Sequence, residues 1–336
     1  MEKKKIILPI AGMIGALLLT LLLVFPMLSM EPKNIPIGVI SLDEGMTTPK
    51  GDVNAGNMFI SNIVKADNLL IKFEKAKSEK TLNEDLEAGK YYAMIVVPKD
   101  FTKNNLTEKG KIDVTINEGL QPMVTMQLSQ GLSAMSAKTG ITFDIKSINS
   151  ISSLGMKALL LPMMLVMMTF VISLITSFLT TLNVKDENKV KGYLKQLVYI
   201  AVMSFVVGFT VSSVAIGIAG VNLDIVKTAL YLSFVSLSIM MLANGSVNLL
   251  GKKGIIIPMI LFILGMGLIQ MPYEYLNGVW QVLVASWEPF RYIGIGLREV
   301  LYQDHGIFNN ATISLIIVIL VGIVFSIIDL LKKDKN

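Results

Sequence analysis

Six apolar runs punctuate this chain, at 6–28, 158–183, 197–219, 228–250, 255–271 and 311–330, and each is close to the length that crosses a bilayer. A hydrocarbon core about 30 Å thick takes about 20 apolar residues of α-helix. Backbone groups in lipid must pair within their own segment, so the runs are expected to be helices. With 53% hydrophobic and 16% charged residues, the composition excludes an ordinary water-soluble fold. The chain has no cysteine and one histidine, His305, which excludes disulfides and thiolate metal sites and argues against a His-based metal centre or general base.

Lysine sets the expected orientation. With the N-terminus inside, Lys3 to Lys5, Lys185, Lys189, Lys191, Lys195, Lys252, Lys253, Lys332, Lys333 and Lys335 all fall on the cytoplasmic side. Lys157, Lys227, Arg291 and Arg298 flank runs on the other side, which is the positive-inside bias. Residues 31–155 hold fourteen lysines and fifteen acids, so the net charge of +5 is topological and not a nucleic-acid footprint. The basic "KKK" and long apolar run at the N-terminus, with no small-x-small cleavage site in "FPMLSM", read as an uncleaved anchor. Both termini are expected in the cytoplasm. Twenty-eight lysines against two arginines point to an AT-rich bacterial genome, and so to a bacterial cell membrane.

Composition changes abruptly over 31–150, which is expected to be an extracytoplasmic α/β domain between a 1–30 anchor and a five-helix domain over 151–336. "IPIGVIS", "LLIKFEKA", "YYAMIVVP" and "KIDVTIN" read as strands, while "DEGMTTPKGD" reads as loop. Between them "AGNMFISNIVKAD" has helical spacing, and "SEKTLNEDLEAGK" has a capping Ser78 and a stop at Gly89. "QPMVTMQLSQGLSAMSAK" places Val124, Leu128, Leu132 and Met135 on one helical face.

The pattern of "IPIGVISLDEG", "LEAGKYYAMIVVPKDFT" and "KIDVTINEG" resembles the extracytoplasmic region of the phage-infection-protein (YhgE/Pip) family, which belongs with the ATP-binding-cassette type-2 permeases. A second match lies in "PFRYIGIGLRE", where Pro289, Tyr292, Gly296, Leu297 and Arg298 fall on that family's motif. The resemblance implies one anchor, an external domain and five further spans. It also implies that 272–310, with Trp280, Val284 and Trp287 at helical spacing, forms the short re-entrant or interfacial helices of such permeases. By resemblance the chain is the membrane subunit of an exporter for an amphipathic or surface-destined substrate. It would bind no cofactor itself, use ATP through a partner ABC ATPase, and pair as a homodimer or with a similar permease in membrane lipid. A non-transporting scaffold or receptor, whose external domain binds a partner, is the alternative. Only "MEKKK" precedes the first run, where type-2 permeases usually carry an interface helix.

No nucleotide-binding loop is readable: in "GSVNLLGKKG" five residues separate Gly245 from Gly251, and Lys253 stands where Ser or Thr is needed. The loop "NVKDENKVKGYLK" carries Lys185, Asp186, Glu187, Lys189 and Lys191, either an ATPase-docking surface or a solvated loop. Ser204, Gly208 and Ser212 recur every four residues, a face for close helix packing within the chain or at a dimer seam. Asn244 and Asn248 sit one turn apart near the inner end of the fourth run, as interhelical glue or a polar path. No acid or base lies deep in any run, which argues against a proton-coupled carrier. Arg298 is expected to pair with Glu288 or Glu299.

Overall fold

The computed structural model describes residues 32–49, 51–65, 70–104, 110–139 and 141–332. The first apolar run, 6–28, lies outside them, as do Lys3 to Lys5, Lys333 and Lys335. The chain divides into two compact units, an α/β unit ending at Leu159 and a helical unit from Leu160 onward.

The α/β unit is built on five strands, β1 (Ile35–Ser41), β4 (Ile71–Lys75), β5 (Ala93–Val97), β6 (Lys111–Asn117) and β7 (Thr142–Ile148), in the order β4-β1-β5-β6-β7. Only the β5–β6 pair is antiparallel. Every residue of β5 is buried, as expected for a strand covered on both faces. Helix α1 (Ala55–Lys65) and helix α4 (Pro122–Thr139) pack on one face. On the other, helix α2 (Glu79–Glu87) brings Leu82 and Leu86 to Ile40, Met94, Val96 and Tyr91. Ser78 caps α2 by accepting from the Thr81 amide, and Gly89 ends it with φ +78°, a conformation that favours glycine. Gly38 leaves β1 room for α2: a Cβ there would overlap Leu82 and the Tyr91 ring.

Two features differ from the expected pattern. The loop after β1 contains a small hairpin, β2 (Met46–Thr48) with β3 (Gly51–Val53), whose exposed three-residue strands carry no apolar alternation. The edge strand β7 was also not anticipated. It is half-exposed, with Asp144 and Lys146 alternating with Phe143 and Ile145, and it pairs with β6 over its whole length. The Pro98-Lys99-Asp100-Phe101 turn leads into a single helical turn, α3 (Phe101–Asn104), which is tied to the β1 loop by Asp43. The Asp43 carboxylate accepts from the amides of Gly45 (3.3 Å), Gly56 (2.9 Å) and Thr102 (3.1 Å), and from the Thr102 hydroxyl. Burial alone would push this carboxyl up, but the Thr102 hydroxyl and the three amides outweigh it and hold it below the usual carboxylate value.

The helical unit comprises α5 (Lys157–Asn183), α6 (Lys189–Ala219), α7 (Ile225–Leu250), α8 (Ile256–Met266), α9 (Pro289–Tyr302) and α10 (Thr312–Leu331). Four helical segments among the described residues are long and apolar enough to cross a membrane: Lys157–Asn183, Lys189–Ala219, Ile225–Met266 and Thr312–Leu331. Helix α7 is the hub, with almost every residue between Thr228 and Val247 buried. Ile172, Leu179, Val198, Phe205, Leu320 and Ile327 stand exposed on α5, α6 and α10, an outward apolar surface that water does not tolerate at this extent.

The run at 255–271, expected as one span, is α-helical over only part of its length. A 3-10 turn, Gly251–Ile255, reverses the chain so that Gly254 abuts the Ser246 carbonyl, and α8 returns beside α7 for only 11 residues. At about 1.5 Å per residue this is roughly half a hydrocarbon core. Gly251, at φ +66°, makes the reversal possible. Beyond α8 the chain forms a 3-10 turn (Tyr273–Tyr275), a short helical turn (Gly278–Trp280) and a π turn (Gln281–Ala285), then doubles back into α9. Pro289 and Phe290, at the start of α9, share a small cavity with Leu242 and Leu261, whereas Gly296 lies against Tyr231 and Ala311. The 272–302 segment therefore dips into the bundle and climbs out beside α7.

Two outcomes are expected in the α/β unit. Gly38→Ala forces Leu82 or Tyr91 off its position and should cost about 1 to 3 kcal/mol, read as lower thermal stability and faster proteolysis of this unit in the full chain. Asp43, with its folded pKa depressed, contributes stability that is complete above the unfolded value of about 3.9 and fades as pH falls through the folded value. Protection of residues 41–56 from proteolysis should therefore weaken below about pH 4, and Asp43→Asn should remove that step.

Candidate functional site

The helix ends gather at one pole of the bundle. Helix α5 ends at Asn183, the loop 184–188 crosses to α6, and Asn188 caps α6 by accepting from the Lys191 amide at 3.2 Å. The C-terminal ends of α7 and α10 meet there too, because Lys332 Nζ donates to the Leu249 carbonyl at 2.9 Å. Lys185, Lys189, Lys191, Lys195, Lys252, Lys253 and Lys332 thus all belong to one pole.

A polar cavity of about 180 Å³ opens at this pole, lined by residues that include Lys185, Asp186, Lys189, Gln196, Asn248 and Asp329. Asp186 accepts from Lys195 Nζ at 2.6 Å and from the Asn188 amide at 3.1 Å. Its carboxyl is held below the usual value chiefly by the Lys195 ammonium. Lys185, Glu187, Lys189 and Lys191 are exposed. Gly192 is buried under the loop, where a Cβ would press on the Asp186 amide at 3.2 Å.

Beneath the cavity lies a hydrogen-bonded clasp of three helices. Asn244 Nδ2 donates to Thr181 Oγ1 and to Gln196 Oε1, both at 2.8 Å. Asn248 Nδ2 donates to Gln196 Oε1 at 3.1 Å and to Asn244 Oδ1 at 3.2 Å. Gln196 Nε2 in turn donates to the Val184 carbonyl at 2.9 Å. Further into the bundle, Ser177 Oγ donates to the Met240 carbonyl at 2.7 Å, and the Ser173 and Ser236 hydroxyls are 2.8 Å apart. Gln196 is the residue that sequence reading overlooked. It sits two turns into α6, seven residues beyond Lys189, and its signal was a lone amide facing inward among apolar neighbours.

The other candidates lie away from this cavity. Ser204, Gly208 and Ser212 are all buried, and Gly208 presses on Ala229 and Ser233 of α7. Of the "PFRYIGIGLRE" residues, Pro289 starts α9, Tyr292 donates its hydroxyl proton to the Ser286 carbonyl at 2.8 Å, and Leu297 is fully buried. Gly296 admits Tyr231 and Asn309, and Arg298 Nη1 donates to the Ile269 carbonyl at 2.6 Å. Glu299 accepts from Asn310, and Glu288 caps α9 by accepting from the Arg291 amide at 2.8 Å. Glu288 is fully buried with its carboxylate against Gly265, and its Oε1 has no hydrogen-bond partner among the described residues. Glu288 lies outside the apolar runs, so the dipping segment, not a span, carries this acid inward.

A family model described as ABC-2 family transporter protein matches residues 6–331. The chain belongs to the ABC-2 transporter family. No curated protein and no solved structure matches it. Membership makes the chain a multi-pass membrane component of a transporter, a class whose members generally leave ATP hydrolysis to a partner.

The clasp makes a specific prediction. Gln196→Ala removes the shared acceptor of Asn244 and Asn248 and should cost about 1 kcal/mol, the usual scale for interhelical hydrogen bonds in membranes. The midpoint of thermal unfolding in detergent should fall, whereas Lys191→Ala, on the exposed loop edge, should leave it in place.

Proposed function

We propose that this chain is the permease subunit of an ABC exporter, driven by a separate ATPase that docks at the lysine-rich pole. The observation that carries this reading is the family match across residues 6–331. The polar pole supports it: Lys185, Asp186, Glu187, Lys189 and Lys191 stand on a loop that the Asp186–Lys195 pair and the Asn188 cap hold against the bundle. A docking surface must be coupled to the helices it moves. Here the loop is joined through Val184 and Gln196 to α5 and α7. Load applied at the loop reaches three helices within one hydrogen-bond network.

In this reading the lysine-rich pole faces the cytoplasm, both termini lie there, and six spans include the 6–28 run. Residues 31–150 form the external domain, and the layout is that of the phage-infection-protein-like branch. ATP acts only through the partner. Two copies, or this chain with a similar permease, enclose the path in the lipid of a bacterial cell membrane, and the cargo is amphipathic or destined for the surface.

Purification from native membranes in mild detergent tests this. An ABC ATPase should co-purify with the full chain, and joint replacement of Lys185, Asp186, Glu187 and Lys189 by alanine should abolish its recovery without lowering the unfolding midpoint. Recovery of envelope partners alone, with no ATPase in repeated preparations, would sink the exporter and leave a scaffold or receptor.

A further inference from the structure

The α/β unit is packed unequally on its two faces. On one, α2 fills the space over β1 and β5 with Leu82, Leu86 and Tyr91. On the other, α1 rests on β1 and β4 while α4 rests on β6 and β7, and the two helices leave the middle of the sheet open between them. The result is a cavity of about 260 Å³, with Ile37 and Ile95 in its floor and Phe59, Phe73, Leu128 and Leu132 among its walls.

Its chemistry is one-sided. Among the described residues the lining is apolar except Gln127, with Gly131 beside it, and includes no charged side chain. Water gains nothing there, since apolar cavities of about 150 Å³ stay dry and take up benzene. An extended peptide would bury amide groups with nothing to bond them, which is unfavourable. A saturated hydrocarbon chain carries no such penalty and recovers the dispersion contacts that the walls lack. The volume is below the roughly 300–1,000 Å³ of sites that enclose whole drug-sized ligands, so it suits one chain with its polar head outside. Gly131 borders open space, since a Cβ there would meet nothing within 4 Å. Finally, this is a multi-pass membrane protein of a transporter family, so lipid is the alkyl compound it meets in greatest amount.

We propose that the cavity between α1, α4 and the sheet binds the acyl chain of a membrane lipid. This goes beyond the exporter reading and does not depend on an ATPase.

The test uses the full chain in proteoliposomes with two photoreactive probes, a phospholipid and a free fatty acid, each bearing a diazirine on its acyl chain. After irradiation, modified peptides are mapped by mass spectrometry. Peptides of α10, with its exposed apolar face, serve as the internal control. Labelling is expected on α1 or α4 as well, and it should be lost in Gly131→Phe and in Leu132→Trp while α10 stays labelled. Labelling of the cavity by the phospholipid identifies a diacyl lipid as the source; labelling by the fatty acid alone identifies a monoacyl one. Two results overturn the proposal: α10 labelled with α1 and α4 blank under both probes, or cavity labelling undiminished in both variants. The wild-type result alone is decisive if either variant folds poorly. Loss of ATPase co-purification in the docking-loop variant with cavity labelling retained would separate the two readings.

Discussion

The helical unit rests on the burial of α7. Between Thr228 and Val247 this helix has almost no exposed side chain, and it carries Ser233, Ser236, Ser238, Asn244 and Ser246 inward. Lipid offers no hydrogen bonds, so each of these groups needs a partner from the protein. Some bond back to the preceding turn, as Ser233 does to Ala229 and Ser246 to Leu242. Ser236 reaches across to α5, and Asn244 ties α5 and α6 at once. The register between the three helices follows, because a shift by one residue would strand Asn244, Asn248 and Gln196 together.

Close approach supplies the rest. Gly245 of α7 backs onto the Gly322 carbonyl of α10, and Gly322 in turn onto Met241. Gly254 meets Ser246, Gly294 meets the Ile269 carbonyl, and Gly208 meets Ala229. In a membrane, where apolar side chains gain little by leaving lipid for protein, such contacts are a principal source of helix association. A methyl group at any of them would push two backbones apart.

Much of this was readable in the chain. The long apolar runs announce the helical unit, and the α/β alternation from Ile35 to Asn117 matches β1, α1, β4, α2, β5 and β6, though not the β2–β3 hairpin. Elements that depend on distant partners were not legible. Strand β7 is held at the sheet edge by its pairing with β6, and the alternation in its sequence covers only Thr142 to Lys146. The break between α7 and α8 was expected from Lys252 and Lys253 between two apolar runs, but the end of α8 at Met266, inside a run read to Met271, was not. At the candidate site the charged loop was visible, since charges between two spans stand out. Gln196 was not, because its meaning comes from Asn244, 48 residues later in the chain.

Glu288 illustrates why the dipping segment needs its glycines. A carboxylate removed from water is costly unless nearby donors compensate, and the start of α9 supplies the Arg291 amide to one oxygen. The whole carboxyl group lies against Gly265 of α8, whose lack of a side chain lets it fit. Below it, Phe170, Phe262 and Phe290 close the site, with Phe170 and Phe262 stacked at 3.9 Å and Phe290 edge-on to both. The aromatic floor and the glycine wall fix where the segment must turn. That position sets how far α9 enters the bundle, and so places Tyr231 and Ile293 in register, where the Tyr231 hydroxyl donates to the Ile293 carbonyl at 3.0 Å. The small residues at Ser204, Gly208 and Ser212 are likewise committed inside the chain, so a second copy would have to be held by the exposed apolar faces of the outer helices and not by that stripe.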